Sequence, residues 1–147
     1  MGVQTRVLMM VGIVICLASG VSAIQGSATY YDPPYYPSAC FPNQQNGDSN
    51  VAGASNVLWN NRAACGRRYR VRCTGANNLF PRPCTGATVD VKIVDYCSKC
   101  NGTINLSRDA FSKIADLKAG NIRIEYNQVW RRVRFGSEGL GSGRLAW

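Results

Sequence analysis

The sequence predicts a mainly β fold, a compact barrel with one helical insertion. Three observations carry it. Three segments alternate apolar and polar residues, one late segment has helical spacing with caps, and no repeat, linker or low-complexity block divides residues 24–129.

At the start of the chain, Arg6 precedes an apolar run from Val7 to Leu17, and small residues end in Val21-Ser22-Ala23. That is the pattern of a cleaved secretory leader over residues 1–23. The run is short for a membrane span and has no stop-transfer flank, and no later segment approaches the ~18 apolar residues a span needs. Export to the extracellular space without a transmembrane anchor is therefore expected. Removal of the leader leaves 124 residues, one domain's worth.

The stretch "DPPYYPSACFPNQQNGDSN" is rich in Pro, Asn and Gly and reads as a long surface loop tied down by Cys40. "SNVLWNN", residues 55–61, reads as a short helix or a turn. In "RRYRVRCTG" Tyr69, Val71 and Cys73 share one face and Arg68, Arg70 and Arg72 the other, as in a half-buried strand. "TVDVKIVD" repeats the pattern with Val89, Val91 and Ile93, and "NIRIEYNQV" with Ile122, Ile124 and Tyr126. Asp95 has the parity of Val89, Val91 and Ile93, so it is expected to end an inward-facing row, at the barrel mouth or beside a partner. Over residues 107–119 a helix is predicted: Ser107 caps it, Asp109 lies in the first turn, Ala110, Phe111, Ile114 and Leu117 have helical spacing, and Gly120 stops it. Residues 130–147 form a basic, Gly- and Ser-rich tail, expected to be disordered, with Arg131, Arg132, Arg134 and Arg144 against Glu138.

Seventeen Lys and Arg against eight Asp and Glu give a net charge of +9, and loss of Arg6 with the leader leaves +8. Such an excess favours acidic partners: anionic wall polysaccharide, phospholipid surfaces or nucleic acid. Nucleic acid recedes, because the leader directs the protein elsewhere and no recognition motif accompanies the charge.

Cys16 leaves with the leader, and six cysteines remain: Cys40, Cys65, Cys73, Cys84, Cys97 and Cys100. An even set in an oxidising compartment reads as three disulfides. Cys97-Ser-Lys-Cys100 also evokes zinc or redox chemistry. Zinc would need two further ligands, the chain has no His, and there is no second Cys-x-x-Cys, so no metal or other cofactor is expected. A thioredoxin-like role needs the motif to open a helix, whereas here it follows a strand and precedes a loop, as a small disulfide pinning a turn would. Asn101-Gly-Thr103 and Asn105-Leu-Ser107 are both N-glycosylation sequons, with Asn101 the better placed because Asn105 lies two residues before the helix cap.

The remaining candidates for chemistry are Tyr30, Tyr31 and Asp32 in "SATYYDPPYY", together with Asp95 and Asn105. Glycoside hydrolysis commonly uses two carboxyl groups, and Asp32 with Asp95 could supply them. On the residues alone, a pre-proline turn role for Asp32 and a strand-end acceptor role for Asp95 carry equal weight.

"GSATYYDPPYYPSAC", "RAACGRRYRVRCTG", "VDVKIVDYCSKCNGTINLSRDAFSKIA" and "GNIRIEYNQV" together resemble the plant natriuretic peptide-like proteins, small secreted relatives of the expansin N-terminal domain and of family-45 endoglucanases. The resemblance implies a six-stranded double-psi β-barrel of the expansin and barwin-like type. It also implies pairings Cys40–Cys65, Cys73–Cys84 and Cys97–Cys100. Asp32 matches a segment that holds a catalytic carboxylate in the endoglucanases, and Asp95 matches an aspartate closing the corresponding strand of expansin-like domains. The other enzymatic acid lies in a His-Phe-Asp motif, which here reads Thr103-Ile104-Asn105. An amide is no general acid near neutral pH, and loss of one typically costs about 10²- to 10⁴-fold in rate.

No enzyme is therefore expected, and Tyr30, Asp32, Asp95 and Asn105 would line a vestigial groove. The resemblance implies an apoplastic signal in water and ion homeostasis and stress responses; a monomer is expected, with a plasma-membrane receptor or an acidic cell-wall polysaccharide as its partner. One alternative is a wall-polysaccharide binding module with Tyr30, Tyr31, Tyr35 and Tyr36 as sugar-stacking rings. Another is a barwin-like defence protein, and a weak endoglucanase comes last.

Overall fold

The computed structural model describes residues 22–130. Residues 1–21 of the expected leader and the expected tail from residue 131 lie outside the described residues. Six strands close into a barrel: β1 (Ile24–Tyr31), β2 (Val51–Ala54), β3 (Arg68–Ala76), β4 (Thr88–Tyr96), β5 (Ile104–Ser107) and β6 (Ile122–Val129). Their order around the barrel is β1-β5-β2-β4-β3-β6. The β1–β5 and β2–β4 pairs are parallel and the other four are antiparallel. Among the described residues, closure leaves no strand of the barrel without a neighbour on each side.

Alternation fills the interior. Val71, Val91, Ile93, Ile104, Leu106, Ile122 and Ile124 are fully buried, each stabilising the fold by roughly 1.5–3 kcal/mol relative to an exposed position. The arginines on the opposite face of β3 are matched outside by acids: Arg70 forms a two-pronged pair with Asp90, and Arg72 meets Glu125 at 2.7 Å.

Two short helices accompany the barrel, α1 (Asn56–Trp59) and α2 (Arg108–Ile114). α2 begins where predicted, with the Ser107 hydroxyl accepting from the Ala110 N–H at 3.1 Å. It ends earlier than its apolar spacing implies. Ala115 is extended and bridges to Cys84, while the Thr85 and Asp116 N–H groups bond to the Ile114 and Pro83 carbonyls. The segment at residues 83–85 thus takes hydrogen bonds that helix propagation would have used, and Leu117–Ala119 continues only as a 3-10 turn capped by Asp116.

A second apolar cluster lies outside the barrel. Tyr35, Tyr36, Val51 and Val94 are buried together, with Tyr31 and Phe41 against them. The loop between β1 and β2 is therefore packed onto the sheet. The Cys40–Cys65 disulfide and the Cys40 N–H bond to the Val94 carbonyl hold it there. Tyr35 and Tyr36 are only 8% and 7% exposed, which corrects the expectation that they offer sugar-stacking faces. Their rings are needed as the loop's own core.

Cys73–Cys84 is also bonded. The third pairing departs from expectation, for Cys97 and Cys100 are free thiols. The Cys100 Sγ donates toward the Cys97 carbonyl at 3.3 Å, with the Gly102 carbonyl 3.8 Å away, so its sulfur is turned to the backbone of its own turn. Burial, reinforced by Cys97, pushes the Cys100 thiol up to about 12. Among the described residues, no helix is long and apolar enough to cross a membrane.

Candidate functional site

The tetrapeptide Thr29-Tyr30-Tyr31-Asp32 closes β1, and strand geometry divides it. Ala28 is fully buried, and Tyr30 shares its parity and packs on the core ring of Phe111 at 4.9 Å. Arg108, at the start of α2, reaches over the Tyr30 ring with 5.9 Å to its centroid and donates from Nη1 to Asp32 Oδ1 at 2.8 Å. That hydrogen bond, together with the Asp32 charge, raises the Arg108 pKa. Asp32 is thus an exposed carboxylate neutralised by a guanidinium, and among the described residues it shares no hydrogen bond with Asp95 or Asn105.

Thr29 and Tyr31 take the other face. Thr29 is the register partner of Asn105 on β5, and its hydroxyl donates to Asn105 Oδ1 at 2.9 Å. Tyr31 stands edge-on to Tyr35 at 5.2 Å, and its hydroxyl is buried with no hydrogen-bond partner among the described residues. Burial, then the nearby Asp95 carboxylate, raises the Tyr31 pKa. The neutral phenol is therefore the form held beside Asp95.

Asp95 reaches this face through a register shift. β2 pairs with β4 as Ala52↔Ile93 and then Gly53↔Asp95, skipping Val94. One skipped residue moves the rest of a strand's side chains to the other side of the sheet. Asp95 accordingly leaves the inward row that its parity suggested and comes level with Gly53, next to the β1–β2 loop. Its Oδ1 accepts from the N–H groups of Ala39 at 3.1 Å and Tyr96 at 2.9 Å. Gly53 faces the register partner Asn105, and a Cβ there would stand 3.8 Å from Asn105 and 3.6 Å from Cys97.

The structure thus assembles Thr29, Tyr31, Asp95 and Asn105 around Gly53, and leaves Tyr30 and Asp32 with Arg108. Sequence reasoning missed Thr29, Gly53 and Arg108. Thr29 was legible, since it shares parity with Tyr31; the other two needed the register. Chemically, the assembled face offers the Thr29 hydroxyl, the Asn105 amide and one carboxylate with a free oxygen, while the Tyr31 hydroxyl is buried beneath it. It has no second carboxyl group to complete an acid–base pair.

Of the two sequons, Asn101 is exposed and its carbonyl accepts from the Asn121 side chain at 2.9 Å, whereas the Asn105 amide is engaged with Thr29.

Residues 51–126 match a family model described as lytic transglycolase. The chain is 57% identical over 114 residues to EG45-like domain containing protein 2 of Arabidopsis thaliana, covering 77% of this chain and 86% of that protein. It is 50% identical over 132 residues to an EG45-like domain containing protein of Citrus jambhiri, covering 88% of this chain and 100% of that one. Among solved structures, an expansin of Clavibacter michiganensis superposes with a TM-score of 0.60 at 26% identity, covering 76% of this chain and 52% of the expansin. A mutant of that expansin in complex with cellohexaose gives 0.59 at 27% identity, over 74% of this chain and 51% of the other. The chain therefore spans about half the length of the expansin. Taken with the closed six-stranded barrel, these matches establish that the chain belongs to the EG45-like domain proteins and carries the expansin-like double-psi β-barrel.

Proposed function

We propose that this protein is an exported, non-hydrolytic, expansin-like module of the plant cell wall that binds β-linked glucan through Thr29, Asp95 and Asn105. One observation carries the reading. Where a hydrolase of related fold would need a second carboxyl group, Asn105 is an amide locked to Thr29, and Asp32 is turned away to Arg108. Hydroxyl, amide and carboxylate groups on a rigid sheet suit the recognition of sugar hydroxyls without bond cleavage. The cellohexaose complex of the expansin mutant supports glucan as the ligand class. Asn101 is the N-glycan acceptor in this reading, leaving Asn105 free for the groove.

The test is sedimentation of the oxidised protein with insoluble cellulose, alongside a reducing-sugar assay. Asn105→Ala is expected to weaken binding about five- to tenfold, Tyr31→Phe and Asp32→Ala to leave it unchanged, and no sugar to be released. Sugar release abolished by Asp32→Ala would overturn the reading.

Signalling in water and ion homeostasis is the second reading, favoured by the Cys40–Cys65 clamp, which fixes an irregular, largely exposed segment in one shape suited to a receptor. Protoplasts lack a wall, so swelling caused by oxidised but not by reduced and alkylated protein would move the assignment to a plasma-membrane receptor.

A further inference from the structure

A cleft of 380 Å³ lies between the start of β3 and the end of β6, lined by Cys65, Gly66, Arg67, Arg68, Gln128 and Trp130, among others. None of the groove residues borders it. Three features give it a chemical character.

Its backbone is fixed. Cys65 is bonded to Cys40, the Gly66 N–H bonds to the Ile93 carbonyl at 2.8 Å, and the Arg67 carbonyl accepts from the Ile93 N–H at 2.9 Å. Gly66 has φ +78°, and the space where its Cβ would point is open. The turn thus presents Arg67 at the rim with little freedom in its main chain.

Its charge is uncompensated. Among the described residues, the Arg67 side chain makes no hydrogen bond or ion pair, while each arginine of β3 has an acid. Arg68 has only a loose contact, 3.7 Å to an Asp48 carboxylate that is 63% exposed. Among the described residues, Arg67 thus has no acid and Arg68 only a distant, solvated one.

Its wall is aromatic. Trp130 is 77% exposed just past the end of β6, close to the hydrogen-bonding amide of Gln128. A large indole left in water beside cations is the arrangement that receives the C–H face of a pyranose ring, while a planar guanidinium matches a carboxylate in two-pronged fashion. A phosphate would satisfy the arginines but would make no use of the indole.

We infer that this cleft is a second binding site, specific for an acidic sugar, with the carboxylate of a uronate residue held by Arg67 and Arg68 and its ring stacked on Trp130. It is separate from the glucan-binding groove, so one domain would carry a neutral and an anionic glycan site.

The experiment is calorimetric titration of the full secreted chain, disulfides intact, with trigalacturonate, with cellohexaose and with inorganic pyrophosphate. Arg67→Gln removes a side chain that makes no hydrogen bond or ion pair among the described residues, so the variant should fold as the parent does. It is expected to weaken trigalacturonate binding about tenfold or more, and Trp130→Ala about fivefold. Neither should alter binding of cellohexaose. Arg70→Gln, which changes the same net charge on the outer face of β3, should change trigalacturonate affinity by less than about twofold. Equal losses from Arg67→Gln and Arg70→Gln would reduce the site to diffuse charge attraction and overturn the proposal. Absence of trigalacturonate binding, or tighter binding of pyrophosphate than of trigalacturonate, would overturn it too. Absence of cellohexaose binding in the parent as in the variants, with trigalacturonate behaving as expected, would instead count against the groove, and loss of cellohexaose binding only in Arg67→Gln and Trp130→Ala would overturn the cleft's specificity for an acidic sugar.

Discussion

The two faces of β1 hold the same kinds of residue and do different work. On one, Tyr30 is packed on Phe111 and Asp32 is paired with Arg108; on the other, Tyr31 has an unpartnered buried hydroxyl and Asp95 binds two backbone N–H groups with one oxygen. Both have a tyrosine beside a carboxylate. The first is a buttress that joins strand to helix, with its charge cancelled in solvent. The second is polar surface held still by a packed loop, with hydrogen-bonding capacity left over. The two faces differ in that residual capacity rather than in residue type.

The buttress is where a single change should cost most. Phe111→Ala removes the fully buried ring beneath Tyr30 and is expected to cost about 3–5 kcal/mol of stability, measured by urea unfolding. A loss below about 1 kcal/mol would mean that the helix merely decorates the barrel.

Asp95→Ala probes the other face. It leaves the Ala39 N–H unpaired and should cost about 1–3 kcal/mol, whereas Asp95→Asn, which keeps an oxygen acceptor, should cost less. Equal losses from the two would show that the charge, rather than the loop anchor, matters.

Alkaline titration separates the packed loop from the buttress in another way. Burial raises the pKa of Tyr35 and Tyr36 in the fold. The unfolded chain therefore releases phenolic protons first, near the ordinary value of about 10. The stability these phenols contribute is complete below that pH and is lost as pH rises through the folded-state values. Melting temperature should fall above pH ~10, and Tyr36→Phe should reduce the slope; an unchanged slope would assign the alkaline loss elsewhere. The Cys97–Cys100 turn needs its own check, since non-reducing peptide mapping that found the two joined would restore the pairing the motif suggested.

The smallest effect belongs to Asp32. Its ion pair with Arg108 is exposed on both sides, with side-chain exposures of 65% and 49%, so Asp32→Ala should shift stability by no more than about 0.5 kcal/mol. A larger loss would make the pair a structural clamp.

Strands β3, β4 and β6 were legible because each buries mainly one face, with Val94 of β4 the exception, and the other face keeps charged residues. β2 and β5 were not. Val-Ala-Gly-Ala and Ile-Asn-Leu-Ser are four residues each, and the whole of β2 is buried, so period-two alternation has too little length or contrast to register. β1 was missed for a related reason: Gly26, Ser27 and Ala28 carry little hydropathy signal, although they pair with β6 on one side and Ala28 also with β5 on the other.

The alternating strands, the Ser107 cap and the absence of an acid at residue 105 are written in the chain itself, because each is a local property of side-chain type and spacing. Barrel closure, the second core around Tyr35 and Tyr36, and the partition of Thr29-Tyr30-Tyr31-Asp32 between two sites arise only once the strands are assembled. The physical reason is the register. Skipping Val94 opposite β2 moves Asp95 from the core side to the face that Thr29 and Asn105 share, and a shift of that kind exists only between strands, not within one.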